Sequence, residues 1–330
     1  MSIGFFDLLG VRFLAMHDSV EYRKVIKSFC EVTKKAFFSY ANPEVDRLFA
    51  YSDNAYVQME SVDSMCLFFQ LLREDLLYKH IYFSAAVGSG TLEAKSEKKT
   101  NKKRTNGKEI DEEFIHMQFL SNSATEIYAQ QSRLKGIGIV VDPSIIQSNE
   151  RPRSVRFCSS YYCPSLESYQ LVPYTDIAFS STTPELVELA ISEMIRMRIL
   201  NKKASRYYIS LVITMINSLD LEIFDNEDDW VQIWNSLSLN DDYEVYREYC
   251  STERKIFQML FLEHVHRYCR KKQNSFPARL NKLMDIAQLS AKDIVSYVQD
   301  QQVGNIMSES LRGSLLSCII MRGGEMLGSK

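Results

Sequence analysis

The sequence has little of what would place a chain at a glance. No stretch approaches the roughly 18 consecutive apolar residues of a membrane span. No basic segment leads into an apolar one near the start, so neither export nor a membrane partner is expected and a cytoplasmic location is. Charge of one sign is missing too: the net value is -3 over 330 residues, which argues against a polyanion such as nucleic acid as partner. The seven cysteines are scattered, odd in number and without a CxxC pair, which excludes a disulfide framework and suits a reducing compartment. Cys158 with Cys163, and His264 and His266 with Cys269, come nearest to a metal cluster and lack the paired spacing of a tetrahedral zinc site. With 12 glycines and 7 prolines, a fibrous or low-complexity chain is also excluded.

What remains is a globular composition, 45% hydrophobic and 25% charged, at a length that suits two units. The first half alternates strand and helix patterns. "SIGFFDLLG" is strand-like, "SVEYRKVIKSFCEVTKKAFFSY" has helical spacing, and "RLFAYSDNAYVQMES" reads as two strands around a Ser-Asp-Asn turn. A second helix over "VDSMCLFFQLLREDLLYK", a strand over "IYFSAAVGSG", a helix over "FLSNSATEIYAQQSRLK" and a strand over "GIGIVVDPSII" complete the order. The predicted class is α+β, a ferredoxin-like palm in which an antiparallel sheet carries its helices on one face. Residues 95–113 hold seven basic residues between Lys95 and Lys108 and predict a solvated basic flap, either a plain insertion or a lid for a polyphosphate. From Pro184 onward the periodicity is helical, with predicted helices at 184–200, 204–218, 227–237, 242–272, 278–288, 290–302 and 306–322. A boundary near 181 follows, dividing a catalytic unit (1–181) from a helical one (182–330).

Two acids stand out in the first unit. Asp7 interrupts an apolar strand and Asp53 lies in the following hairpin, so adjacent strands would bring the two carboxylates to one sheet edge. Hard oxygen ligands of this kind suit two Mg²⁺ or Mn²⁺ ions, which can align a hydroxyl and a triphosphate for in-line displacement. Phe6 is a further metal-site candidate, and the turn Leu8, Leu9, Gly10 is the candidate phosphate cradle. The alternative for Asp7 is a cap on the next helix. Strand alternation sets Arg47 and Tyr51 beside Asp53 as base-contact candidates, with cross-strand packing as the other reading.

"FFDLLG", "YSDNAYVQ", "FSAAVGSG" and "ATEIYAQQSRLKGIGIVVDPSII", in this order, resemble the metal and hairpin motifs of the class III nucleotidyl cyclases over about residues 1–180. The Asp-x-Leu-Gly start and the Ser-Asp-Asn hairpin are most similar to the bacterial Pycsar-type uridylate/cytidylate cyclases. The resemblance implies a homodimer with active sites at its interface that turns UTP or CTP into a 3′,5′-cyclic pyrimidine nucleotide in antiphage defence. A purine cyclase and a degenerate nucleotide-binding module are the alternatives. Phe49 stands where purine cyclases carry a lysine, and Ser52 replaces their usual glycine. The Asn/Arg pair that the family places on the later helix is missing near Ser123 to Ala129, which leaves Asn122, Gln130, Gln131 and Arg133 as the nearest polar candidates.

Overall fold

A computed structural model describes residues 1–105, 108–119, 121–147, 152–166, 170–238, 250–286, 291–300 and 306–328. By their contacts the residues divide into two compact units, Met1–Leu134 with Ile139–Val155, and Lys135–Gly138 with Arg156–Lys330. No helix among the described residues is long and apolar enough to cross a membrane.

The first unit is α+β. Its elements are β1 (Ser2–Leu8), α1 (Val11–His17), α2 (Ser19–Tyr40), β2 (Arg47–Tyr51), β3 (Asn54–Met59), α3 (Val62–Leu77), β4 (Phe83–Ser89), β5 (Ala94–Thr105), β6 (Lys108–Phe119), α4 (Asn122–Arg133), β7 (Gly138–Val141) and α5 (Pro143–Gln147). Five strands form one mixed sheet in the order β2-β3-β1-β4-β7, with β1 in the middle. β1 pairs antiparallel with β3 on one side and with β4 on the other.

The sequence predicted helices on one face, whereas they cover both. Alternation along β1 sends Phe6 to one side, where its ring meets Phe29 of α2, Phe68 and Phe69 of α3, and Phe83, at centroid distances of 5.5 to 5.9 Å. Ile3 and Phe5 point the other way and bury against Ala124 and Ile127 of α4. The reason is that both faces of the strand are apolar, so each needs a cover. Gly4 lets the Phe69 ring approach, since a Cβ there would lie 2.5 Å from it.

Of residues 95–113, predicted to be a solvated loop or flap, 95–105 and 108–113 are β-paired. β5 and β6 make a two-stranded antiparallel ribbon in a sheet of its own. The register sets Lys102 opposite Asp111 and Arg104 opposite Glu109, and opposed signs directly across a ladder favour pairing.

The second unit opens with a hairpin of β8 (Phe157–Tyr162) and β9 (Val172–Ile177), followed by α6 (Pro184–Leu200), α7 (Lys202–Asn217), a short 3₁₀ turn and α8 (Glu227–Ser238). Then come α9 (Ser251–Lys272), α10 (Phe276–Ile286), α11 (Ala291–Gln299) and α12 (Glu309–Gly328). Parts of the helices predicted at 242–272, 278–288 and 290–302 lie outside the described residues. The pattern changes character near 181, yet the hairpin before it goes with the helices. Buried hydroxyls hold it there: Ser160 meets Thr214 of α7 at 2.7 Å, and Thr214 in turn donates to the Asp176 carboxylate at 3.0 Å.

The Phe6 cluster is the hub of the first unit's core. Phe6→Ala is expected to cost about 3–5 kcal/mol, the usual range for emptying a buried aromatic site. Chemical denaturation of the variant should show this as a lower midpoint at an unchanged slope.

Candidate metal-binding site

β1 presents Asp7 directly opposite Asn54 of β3 and Ser84 of β4. Tyr51 of β2 pairs with Asn54, so one cross-strand row reads Tyr51, Asn54, Asp7, Ser84 on the face that α4 covers. The hairpin between β2 and β3 turns on Ser52 and Asp53 alone, with Ser52 in the left-handed region at φ 41° as tight hairpin turns require. Two bonds hold this turn in place. The Tyr22 hydroxyl of α2 lies 3.0 Å from Ser52 Oγ, and the Leu8 amide donates to the Asp53 carbonyl at 2.8 Å.

Asp53 is thereby tied to the end of β1 that carries Asp7. Burial, and then the negative charge of Asp53, push the Asp7 carboxyl up to about 6 from an ordinary 3.8. Neither carboxylate has a hydrogen bond or ion pair among the described residues. The capping alternative for Asp7 is set aside, because Gly10 is the N-cap of α1 and no side chain caps that helix. The acid that does cap a helix here is Asp18, whose carboxylate accepts from the Val20 and Glu21 amides of α2.

The other predicted residues fare unevenly. Phe6 is fully buried in the aromatic cluster, and ladder alternation engages its main chain with Ala55, which does not suit a metal ligand. The Leu8 and Leu9 amides are already spent on the carbonyls of Asp53 and Tyr82, so they cannot cradle a phosphate. Gly10 alone of that turn keeps an N–H free of main-chain partners among the described residues. Its φ of 79° favours glycine, and a Cβ there would meet nothing within 4 Å.

Arg47 folds back, donating to the carbonyls of Asp46 at 2.8 Å and Glu44 at 3.0 Å, so it serves the turn before β2 rather than a base beside Asp53. Tyr51 remains at the row, half-buried, with its hydroxyl pKa raised by burial. On α4 the sheet-facing stripe is Ala124, Ile127 and Gln131. Gln131 Nε2 donates to Ser84 Oγ at 2.5 Å, which brings it next to the cross-strand partner of Asp7. Asn122 lies nine residues earlier, about 14 Å along the axis, and Arg133 points outward; both are exposed. Gln130 is occupied elsewhere, donating to Asp142 at 2.7 Å.

Several neighbours were not singled out in the sequence. Asn54 and Ser84 stand opposite Asp7 through the pairing of β1 with β3 and with β4, strands far apart in sequence, so the hairpin register alone does not give them. Tyr56 and Tyr128 flank Phe5 at 4.6 and 5.3 Å; Tyr56 follows from the β1–β3 register, while Tyr128 needed the placement of α4 on the sheet.

Chemically, the row and the turn beside it offer two carboxylates coupled through their charge, and no ion pair engages either among the described residues. No group of three or more His, Cys, Asp or Glu residues able to hold a metal occurs among the described residues, so tight all-protein coordination does not fit. Mg²⁺ and Mn²⁺ do fit, because such ions are commonly held by one or two carboxylates, with water and substrate phosphates completing the shell. No family model matches the chain, and a search of curated proteins returns no match. The site's geometry is therefore what bears on function.

The raised pKa sets a pH signature. Folded Asp7 titrates near 6 and unfolded Asp7 near 3.8, so its penalty is absent below 3.8, grows as the pH rises from there and is complete above about 6. Asp7→Asn is accordingly expected to raise the thermal midpoint of metal-free protein at neutral pH, with the gain fading as the pH falls toward 3.8. Melting curves across that range read it directly.

Proposed function

We propose that the first unit is a ferredoxin-like palm that works as a nucleotidyl cyclase, converting UTP or CTP into a 3′,5′-cyclic mononucleotide and pyrophosphate as a homodimer. The observation that carries the reading is the Asp7/Asp53 pair, two carboxylates at one sheet edge without a partner, of which one is burdened by the other's charge. The strand order β2-β3-β1-β4 supports it, being that of a ferredoxin-like palm.

Asp7 and Asp53 would hold Mg²⁺ or Mn²⁺. Such ions, when bound, neutralise triphosphate charge and make a ribose 3′-hydroxyl easier to ionise. The chain's own contributions are positional. The Leu8–Asp53 bond keeps the two carboxylates together, and Gly10 leaves room and an N–H for a phosphate oxygen. Tyr51 and Tyr56, each partly exposed, give an aromatic flank on which a base can pack. The 3′-oxygen attacks the α-phosphorus, its proton is lost to solvent or to the leaving group, and the bond to the β-phosphate oxygen breaks to release pyrophosphate.

One observation favours a second reading, a degenerate nucleotide-binding module. The residue that α4 sends to the Asp7 row is Gln131, and no cationic side chain of α4 accompanies it among the described residues. The two readings part in one assay, in which the full chain is incubated with UTP, CTP, ATP or GTP and Mn²⁺ and the products are identified by mass spectrometry. A cyclic product from UTP or CTP is expected, lowered at least about 100-fold in Asp53→Ala, as for loss of a main electrostatic contributor. Nucleotide binding without product would favour the degenerate module, and a fully active Asp53→Ala would remove the assignment.

A further inference from the structure

The second unit contains a cavity of about 450 Å³ that the carboxylate pair has no part in, within the size range of small-ligand sites. One wall is the face of β8 that carries Phe157 and Tyr161, and another is the stripe Leu260, Glu263, Arg267 of α9, residues spaced so as to share one helix face. Asn217, at the end of α7, and the segment around Met307 and Ser308 complete the lining.

Most of the polar groups here are already committed. Asn217 Nδ2 donates to the Ser159 carbonyl at 2.7 Å, and its Oδ1 lies 3.3 Å from His264 Nε2. Burial holds the His264 imidazole at about 3, so it is neutral and donates its Nε2–H to that oxygen. Glu263 is bound to the loop: Ser308 Oγ donates to its carboxylate at 2.9 Å, and the Ser308 amide reaches it at 3.4 Å. Arg267 Nε lies 3.7 Å from the same carboxylate. The Arg267 side chain is 61% exposed against 12% for Glu263, and no other hydrogen bond or ion pair engages it among the described residues. The charge left to present is therefore the guanidinium fork, which matches the oxygens of a phosphate or carboxylate. The uncommitted walls are aromatic or apolar: Phe157, Tyr161, Leu260 and Met307.

We propose that this cavity binds a small aromatic anion of nucleoside-monophosphate size, with its anionic group on Arg267 and its ring among Phe157, Tyr161 and Met307. The site would serve as an effector site and is independent of the cyclase reading.

The test is isothermal titration of the full chain with uridine and adenosine 5′-monophosphates, with uridine and inorganic phosphate as partial ligands. Saturable binding of at least one monophosphate is expected, weakened about 10- to 100-fold by Arg267→Ala, as for loss of a charge-assisted hydrogen bond. Tyr161→Ala should weaken it as well, and the Asp7→Ala/Asp53→Ala chain should keep it. Arg267 is exposed, so its variant should melt with the wild type, which separates lost binding from lost fold. Three results would overturn the proposal: no binding of either monophosphate, binding indifferent to Arg267→Ala, or binding of inorganic phosphate alone as tight as that of the nucleotide.

Discussion

Asp7 sits on the middle strand of the sheet, with β3 hydrogen-bonded on one side and β4 on the other. Its carboxylate cannot retreat from Asp53, because the Leu8 amide holds the Asp53 carbonyl and Tyr22 holds the turn. The repulsion between the two acids is thus locked in by the same pairing that makes the sheet. Phe6, one residue away and on the opposite face, anchors β1 in an aromatic cluster strong enough to carry that burden. A protein does not commonly keep a half-buried like-charge pair at a rigid edge unless something occupies it, and perturbed carboxylates cluster at functional sites.

That pair was legible in the sequence because strands have a strict period of two and a Ser-Asp-Asn turn sets the hairpin register. Bringing the two acids together also took the palm topology, which sets β1 beside β3. Arg47 shows where those rules stop. Alternation puts it on the predicted face, yet its long side chain turns back to the carbonyls of Glu44 and Asp46, a choice that only the loop's shape decides. The phosphate cradle failed in part for a similar reason, since whether the Leu8 and Leu9 amides are free depends on the neighbouring Asp53 and Tyr82 carbonyls. On α4, composition offered Asn122, Gln131 and Arg133 alike, and it was the pitch of the helix over β4 that selected Gln131 by way of Ser84.

The longer error came from reading a run of charge as looseness. The run from Lys95 pairs with the strand that follows as a ribbon, in a register that sets Lys102 opposite Asp111 and Arg104 opposite Glu109. In the β8–β9 hairpin the polar residues Ser160 and Asp176 are fully buried, joined through Thr214 to α7. For Ser160 and Asp176 the partner that makes burial acceptable, Thr214, lies 54 and 38 residues away in sequence. The late helices were easier, because a 3.6-residue period and the Pro184 start are local.

Divalent-cation binding at the Asp7/Asp53 pair is the claim on which the functional reading stands. Titration of Mn²⁺ into the full chain, followed by the loss of its free-ion electron paramagnetic resonance signal, measures this without any nucleotide chemistry. The wild type should bind near neutral pH and lose the ion as acid protonates Asp7 through about 6, while Asp7→Asn and Asp53→Asn should each fail to bind. Binding that both variants retain in full, or no binding to the wild type with or without a nucleoside triphosphate, would contradict it.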